Sequence, residues 1–149
     1  MRRCMLVACA IVLLGAAPAL PVAAAGNDTP AHMRAIVREW SKRLNAGDNR
    51  GIAKLFSLPA VLIQGGVGYQ ISTAAGVALW HEGLPCSGRV VSIAVRGRYA
   101  TAVFVLGSGR PGKKCDAPAG TKAAARFEIV HGKIRSWQQV PVPPDGPPA

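Results

Sequence analysis

From Gly88 onward the hydrophobic period of this chain settles at two, and that shift limits the folds open to it. Upstream, Met33, Ile36, Val37, Trp40 and Leu44 recur at the three-and-four spacing of a helix with one buried stripe. Thr29 is placed to cap it and Pro30 to begin it, so a helix is expected over 30–46. Glu39 can pair with Arg43 one turn later. Gly47 suits the left-handed position after a helix, and Asp48 can cap a second, short helix that buries Ile52, Leu55 and Phe56 before Pro59 stops it. Residues 60–64 and 69–71 read as short strands around Gly65, Gly66 and Gly68, and a third helix starts at Ser72 or Thr73 and ends at Gly83 and Pro85. Beyond Gly88 apolar and polar residues alternate, which predicts one hairpin from 89–96 and 99–106 and another from 122–130 and 133–140. Helices followed by paired strands form an α+β pattern, a curved antiparallel sheet capped by three helices in the shape of a cone.

The first 25 of the 149 residues need separating from that fold. Arg2 and Arg3 precede an apolar run from Met5 to Leu14, and Pro18 and Pro21 break it before Ala23-Ala24-Ala25. This is the layout of an export signal with cleavage after Ala25. An uncleaved anchor and lipid attachment at Cys9 are the competing readings, although the apolar run continues past Cys9 instead of preceding it. The expected organisation is a signal peptide at 1–25, one domain at 26–142 and a proline-rich tail at 143–149, secreted or held in the periplasm or cell envelope. Cleavage removes Cys4 and Cys9 and leaves Cys86 and Cys115. Two cysteines in an oxidising compartment suggest a disulfide, with two unpaired buried thiols as the alternative. Closing a loop of about 29 residues would stabilise by roughly 3.6 kcal/mol in the chain-entropy picture.

Several residues carry a resemblance. Trp40-x-x-x-Leu44-Asn45-Ala46-Gly47-Asp48 with Leu55-Phe56, then Leu84-Pro85-Cys86-x-Gly88, Cys115, Phe127 and Gly132-Lys133-Ile134-x-x-Trp137, resemble small exported SnoaL-like proteins of the nuclear transport factor 2-like superfamily. The resemblance spans nearly all of 29–142. It implies a pocket between helices and concave sheet and an assembly that is commonly dimeric. It does not imply one reaction, because the superfamily includes isomerases, hydrolases, cyclases and proteins that only bind.

The chemical motifs are incomplete. Gly107-Ser108-Gly109-Arg110-Pro111-Gly112 fits the spacing of a dinucleotide loop, but Pro111, Cys115 and Pro118 leave no helix for it to open, so a flexible connection is expected. His81-Glu82 begins a zinc motif whose second histidine position holds Pro85, and no metal or cofactor is expected. Acid/base chemistry needs a titratable group in an apolar cleft, and only His81, Glu82 and Glu128 escape tails, caps and polar faces. Glu128 alternates with Phe127 and Ile129 and so faces outward if they face in. His81 and Glu128 are the catalytic candidates, and no complete constellation surrounds them.

Lys and Arg number 18 against 7 Asp and Glu, and loss of Arg2 and Arg3 with the signal leaves a net +9. No aromatics interleave with the basic residues Arg34, Arg38, Lys42, Arg110, Lys113 and Lys114, so a solvated basic surface is expected and no nucleic-acid partner, with weak contact with an anionic cell envelope as the alternative. In the 99–106 strand Val103 and Val105 face one way, Phe104 and Leu106 the other. One side should meet the helices and the other a second subunit, giving a homodimer. A ligand pocket is expected from Trp40, Tyr69, Trp80 and Trp137, with His81 as its polar handle, for a small apolar molecule. The alternatives are an isomerase or hydrolase working in that cavity and a noncatalytic envelope interaction module.

Overall fold

The structure, a computed structural model, describes residues 28–144. The expected signal at 1–25, with Cys4 and Cys9, lies outside the described residues, as do residues 145–149 of the tail. Among the described residues the order is α1 (Pro30–Ala46), α2 (Asn49–Ala53), β1 (Phe56–Gln64), β2 (Val67–Ile71), α3 (Ala74–Glu82), β3 (Gly88–Arg96), β4 (Tyr99–Leu106), β5 (Lys122–Val130) and β6 (Lys133–Val140). No helix among them is long and apolar enough to cross a membrane.

The helix signals act as their chemistry dictates. The Thr29 hydroxyl accepts from His32 N at 3.2 Å, and α1 buries Met33, Ile36, Val37, Trp40, Ser41 and Leu44. Gly47 closes it at φ 74°, and the Asp48 carboxylate accepts from Gly51 N at 2.8 Å to start α2. Thr73 caps α3 in the same manner. The second helix is shorter than expected. It stops at Ala53, and Phe56 instead opens β1 beside Ile134, where strand pairing buries the ring. Pro59 lies inside β1, in the irregular stretch between Phe56 and Val61 where a residue without an N–H takes nothing from the ladder.

The six strands form one sheet in the order β2-β1-β6-β5-β4-β3. Four pairings are antiparallel, and β1 runs parallel to β6, which corrects the expected wholly antiparallel sheet. Hairpin signals report only pairings between sequence neighbours, and β1 and β6 are about as far apart in sequence as two strands here can be. Register shifts in the β1/β6, β3/β4 and β5/β6 pairs bend the sheet toward the helices.

Cross-strand rows sort the two faces. Leu62 pairs with Tyr69 on one side and Trp137 on the other, and Trp137 pairs with Phe127, which pairs with Ala100. This row and the core residues Met33, Val37, Ile52, Ile129 and Ile134 define the helix-covered side. Phe104 belongs to that core and Leu106 packs against it, so Val103 and Val105 lie on the opposite face, where Val103 is already buried within the chain and Val105 is partly exposed. The outer face is mixed. Glu128 accepts from Ser136 Oγ at 3.2 Å and pairs with Arg98 at 3.1 Å, while Arg126 donates to Gln138 at 2.7 Å. Asp28, expected in a free tail, instead accepts from His131 N and Gly132 N at 2.7 Å each and ties the β5–β6 turn to the start of α1.

Candidate functional site

A cavity of about 150 Å³ opens at one end of the concave face. The sheet supplies Gln64, Phe104, Leu106, Ala123, Ala125, Trp137 and Gln139, and α1 supplies Trp40, Ser41 and Leu44. The stretch 84–88, joining α3 to β3, forms the remaining side. Space exists because β5 presents alanines inward. Ala125 pairs with Gln139 and Ala102, and a larger residue at Ala123 or Ala125 would fill the hollow. The volume is that of a hollow that admits a single benzene ring.

The side formed by residues 84–88 is held from three directions. The Asn45 amide donates to Gly88 O at 2.9 Å and accepts from Gly88 N at 2.8 Å, with Ser41 Oγ also donating to Gly88 O at 3.3 Å. Cys86 is bridged to Cys115, with Cα atoms 4.4 Å apart. Arg110 is buried and donates through Nη1 to His81 O at 2.6 Å and Leu84 O at 2.8 Å, and through Nη2 to Asn49 Oδ1 at 2.6 Å. The glycine-rich loop, expected as a flexible connection, is thus an anchor that completes the carbonyl ends of α3. Gly109 permits its tight path, since a Cβ there would sit 2.1 Å from Lys113 O.

His81 is fully buried and lies outside the cavity lining. Its Nε2 accepts from Trp40 Nε1 at 3.1 Å and its Nδ1 lies 2.8 Å from Val77 O, one helical turn back. Donation from Trp40 requires a bare Nε2, so the proton sits on Nδ1 and donates to Val77 O. Desolvation is the main cause that lowers the pKa to about 4; the Val77 carbonyl opposes it and Arg110 adds to it. At neutral pH this is an uncharged histidine with both nitrogens engaged, wedged edge-on against Phe56 and Trp80. The polar side chains that do line the cavity are Ser41, Gln64, Ser87 and Gln139.

The remaining expected residues separate. Trp40 and Trp137 stand in the cavity wall, their rings 6.1 Å apart. Trp80 backs Trp137 edge-to-face at 5.1 Å without entering the lining, and Tyr69 is 47% exposed on β2, two strands from Trp137 in the same row. Glu128 is on the outer face, away from the cavity. Among the described residues no His, Cys, Asp and Glu cluster could hold a metal. Sequence reasoning missed Gln64, Gln139 and the Asn45 clamp. The alanines at alternate positions of β5 were a readable signal for the hollow, because strands that must fill a core carry branched or aromatic residues there.

No protein-family model matches the sequence, and no curated protein matches it. Solved structures do. A nuclear transport factor 2-like protein of unknown function from Cytophaga hutchinsonii aligns with a TM-score of 0.56 at 14% identity, covering 72% of this chain and 87% of that one. A protein described as a putative polyketide cyclase from Sinorhizobium meliloti aligns at 0.57 and 18% identity, covering 73% and 98%. A protein with a ketosteroid isomerase-like fold from Catenulispora acidiphila, in complex with trimethylamine, aligns at 0.54 and 15%, covering 70% and 83%. At these identities the likeness is one of architecture, and the curved six-stranded sheet under three helices is the nuclear transport factor 2-like fold.

Proposed function

We propose that the protein binds a small, largely apolar, uncharged molecule in the cavity between α1, residues 84–88 and the concave sheet. The observation that carries this reading is the lining. Its surfaces are aromatic, aliphatic and alanine, and its polar side chains are two serines and two glutamines, with no ionisable side chain besides the bridged Cys86. An ion placed there would lose water without gaining a counter-charge. Acid/base turnover would need a group of shifted pKa within reach of the reacting atom. The group with that property, His81, is committed to Trp40 and Val77, so binding is favoured over an isomerase or hydrolase reaction.

The protein acts in an oxidising compartment after export, a reading supported by the Cys86–Cys115 bridge and the signal-like start of the sequence. Its +9 surface attracts it weakly to anionic envelope polymers, and the outer sheet face around the partly exposed Val105 joins two copies in a dimer. Light scattering at tens of micromolar checks the dimer, and a monomer would remove it.

Tryptophan fluorescence tests the cavity. All three tryptophans lie in or against the wall, so bromobenzene bound inside should quench saturably. Ala125→Leu, which fills the floor, should leave only the linear quenching of random collisions. Linear quenching in the unaltered protein, or saturable quenching that survives Ala125→Leu, would overturn the proposal.

A further inference from the structure

Gln64 and Gln139 form a paired feature that the apolar walls do not explain. In the parallel β1/β6 register Leu62 lies beside Trp137 and Ile63 beside Gln138. The next position sets Gln64 beside Gln139, on the same side of the sheet as Leu62 and Trp137, because side chains alternate faces. Adjacent strands are about 4.8 Å apart, so both amides reach one small group. Both residues line the cavity and both are exposed, which puts them at its mouth. The hydrogen bonds that hold the site run through Asn45, Ser41, Arg110 and His81 and engage neither glutamine. Below them, Trp137 lines the same cavity and has a buried indole N–H without an acceptor among the described residues.

We infer that the Gln64–Gln139 pair reads the neutral polar head of the ligand, and that this head both donates and accepts hydrogen bonds, as a carboxamide does. The inference rests on the cavity-binding reading and names the class of molecule it takes: a body of single-ring size against Trp40, Leu44, Phe104 and Trp137, with an uncharged amide-like head at the mouth. A carboxamide oxygen accepts from one glutamine N–H, and its own N–H donates to the carbonyl of the other. A carboxylate of the same shape can only accept, so it leaves both glutamine carbonyls unused, and it would surrender its hydration with no cation in the lining. A purely apolar head would cover two amides without satisfying them.

Three probes of nearly equal shape separate these cases: benzamide, benzoate and isopropylbenzene, titrated against the oxidised protein and followed by tryptophan fluorescence and by amide shifts of labelled protein. Benzamide should bind about tenfold more tightly than benzoate even though the protein is cationic, and the Gln64→Leu, Gln139→Leu double variant should lose about tenfold for benzamide while keeping isopropylbenzene. Benzoate binding as tightly as benzamide, or a double variant that binds benzamide unchanged, would overturn the inference while isopropylbenzene binding left the cavity reading standing. Saturation by none of the three would overturn both. Each single leucine variant, made at an exposed rim position, serves where the double variant folds poorly, with about half the loss expected on a logarithmic scale.

Discussion

His81 holds Trp40 and the Gln64–Gln139 pair lines the cavity beside Trp137, whose ring lies 6.1 Å from that of Trp40, yet they differ in how their hydrogen-bonding capacity is spent. The imidazole uses both nitrogens inside the core, on an indole N–H and a backbone carbonyl, and is held uncharged by burial. The glutamines sit at the mouth with capacity unused. A titratable group in the interior is thus the structural element here, and the two neutral side chains at the rim are the ones free to meet a ligand. Chemistry-bearing residue type alone singles out His81, whereas unspent hydrogen-bonding capacity singles out the glutamines.

The largest effect expected on the structural side comes from the Cys86–Cys115 bridge. Its replacement by Cys86→Ser, Cys115→Ser should cost about 3.6 kcal/mol in denaturant unfolding, because the bridge closes a loop of 29 residues. Cys86 also lines the cavity, so bromobenzene should bind more weakly when the bridge is gone. Unchanged stability would show that Arg110 alone holds the loop.

Close behind is the pH dependence of His81. Its native pKa of about 4 lies below the ordinary 6.5, so between those values the unfolded chain binds the proton that the native protein refuses. Stability from this group is complete above pH 6.5, falls as pH drops from 6.5 toward 4, and changes no further below that, for a total of about 3 kcal/mol. Thermal unfolding across this window should show the slope, and His81→Phe should flatten it. A slope that persists in His81→Phe would assign the acid sensitivity to another group.

Asn45→Ala should cost about 1–2 kcal/mol, since it removes two hydrogen bonds from Gly88 at the edge of the cavity. Affinity for bromobenzene should fall with it, and urea unfolding beside fluorescence titration measures both. The smallest effect belongs to the outer face. Glu128→Gln removes a half-exposed ion pair with Arg98, worth less than about 1 kcal/mol, and should leave ligand binding unchanged. Loss of binding or of any turnover in Glu128→Gln would return that carboxylate to the list of functional groups and break the comparison.

Local rules read from the sequence carried the helices and hairpins. Thr29 and Gly47 bound α1, Thr73 starts α3, and the alternation after Gly88 locates β3 to β6, because caps and side-chain periodicity act over a few residues. The same locality explains what escaped. Phe56 has equal claims as the end of a short helix or the start of a strand until Ile134 lies beside it, and the parallel seam between β1 and β6 joins residues 75 to 78 positions apart. Arg110 looks like a solvated cation in a loop until the fold brings His81 O, Leu84 O and Asn49 around it. The candidate site divides in the same manner. Trp40 and Trp137 are legible as large apolar side chains on inward positions, whereas the pairing of Gln64 with Gln139, and the removal of His81 from the cavity wall, exist only once strands from opposite ends of the chain are adjacent. Sequence determines which faces each element buries, through interactions among near neighbours; tertiary structure decides which polar groups find partners and which are left for a ligand, because a hydrogen bond is settled by distance in space.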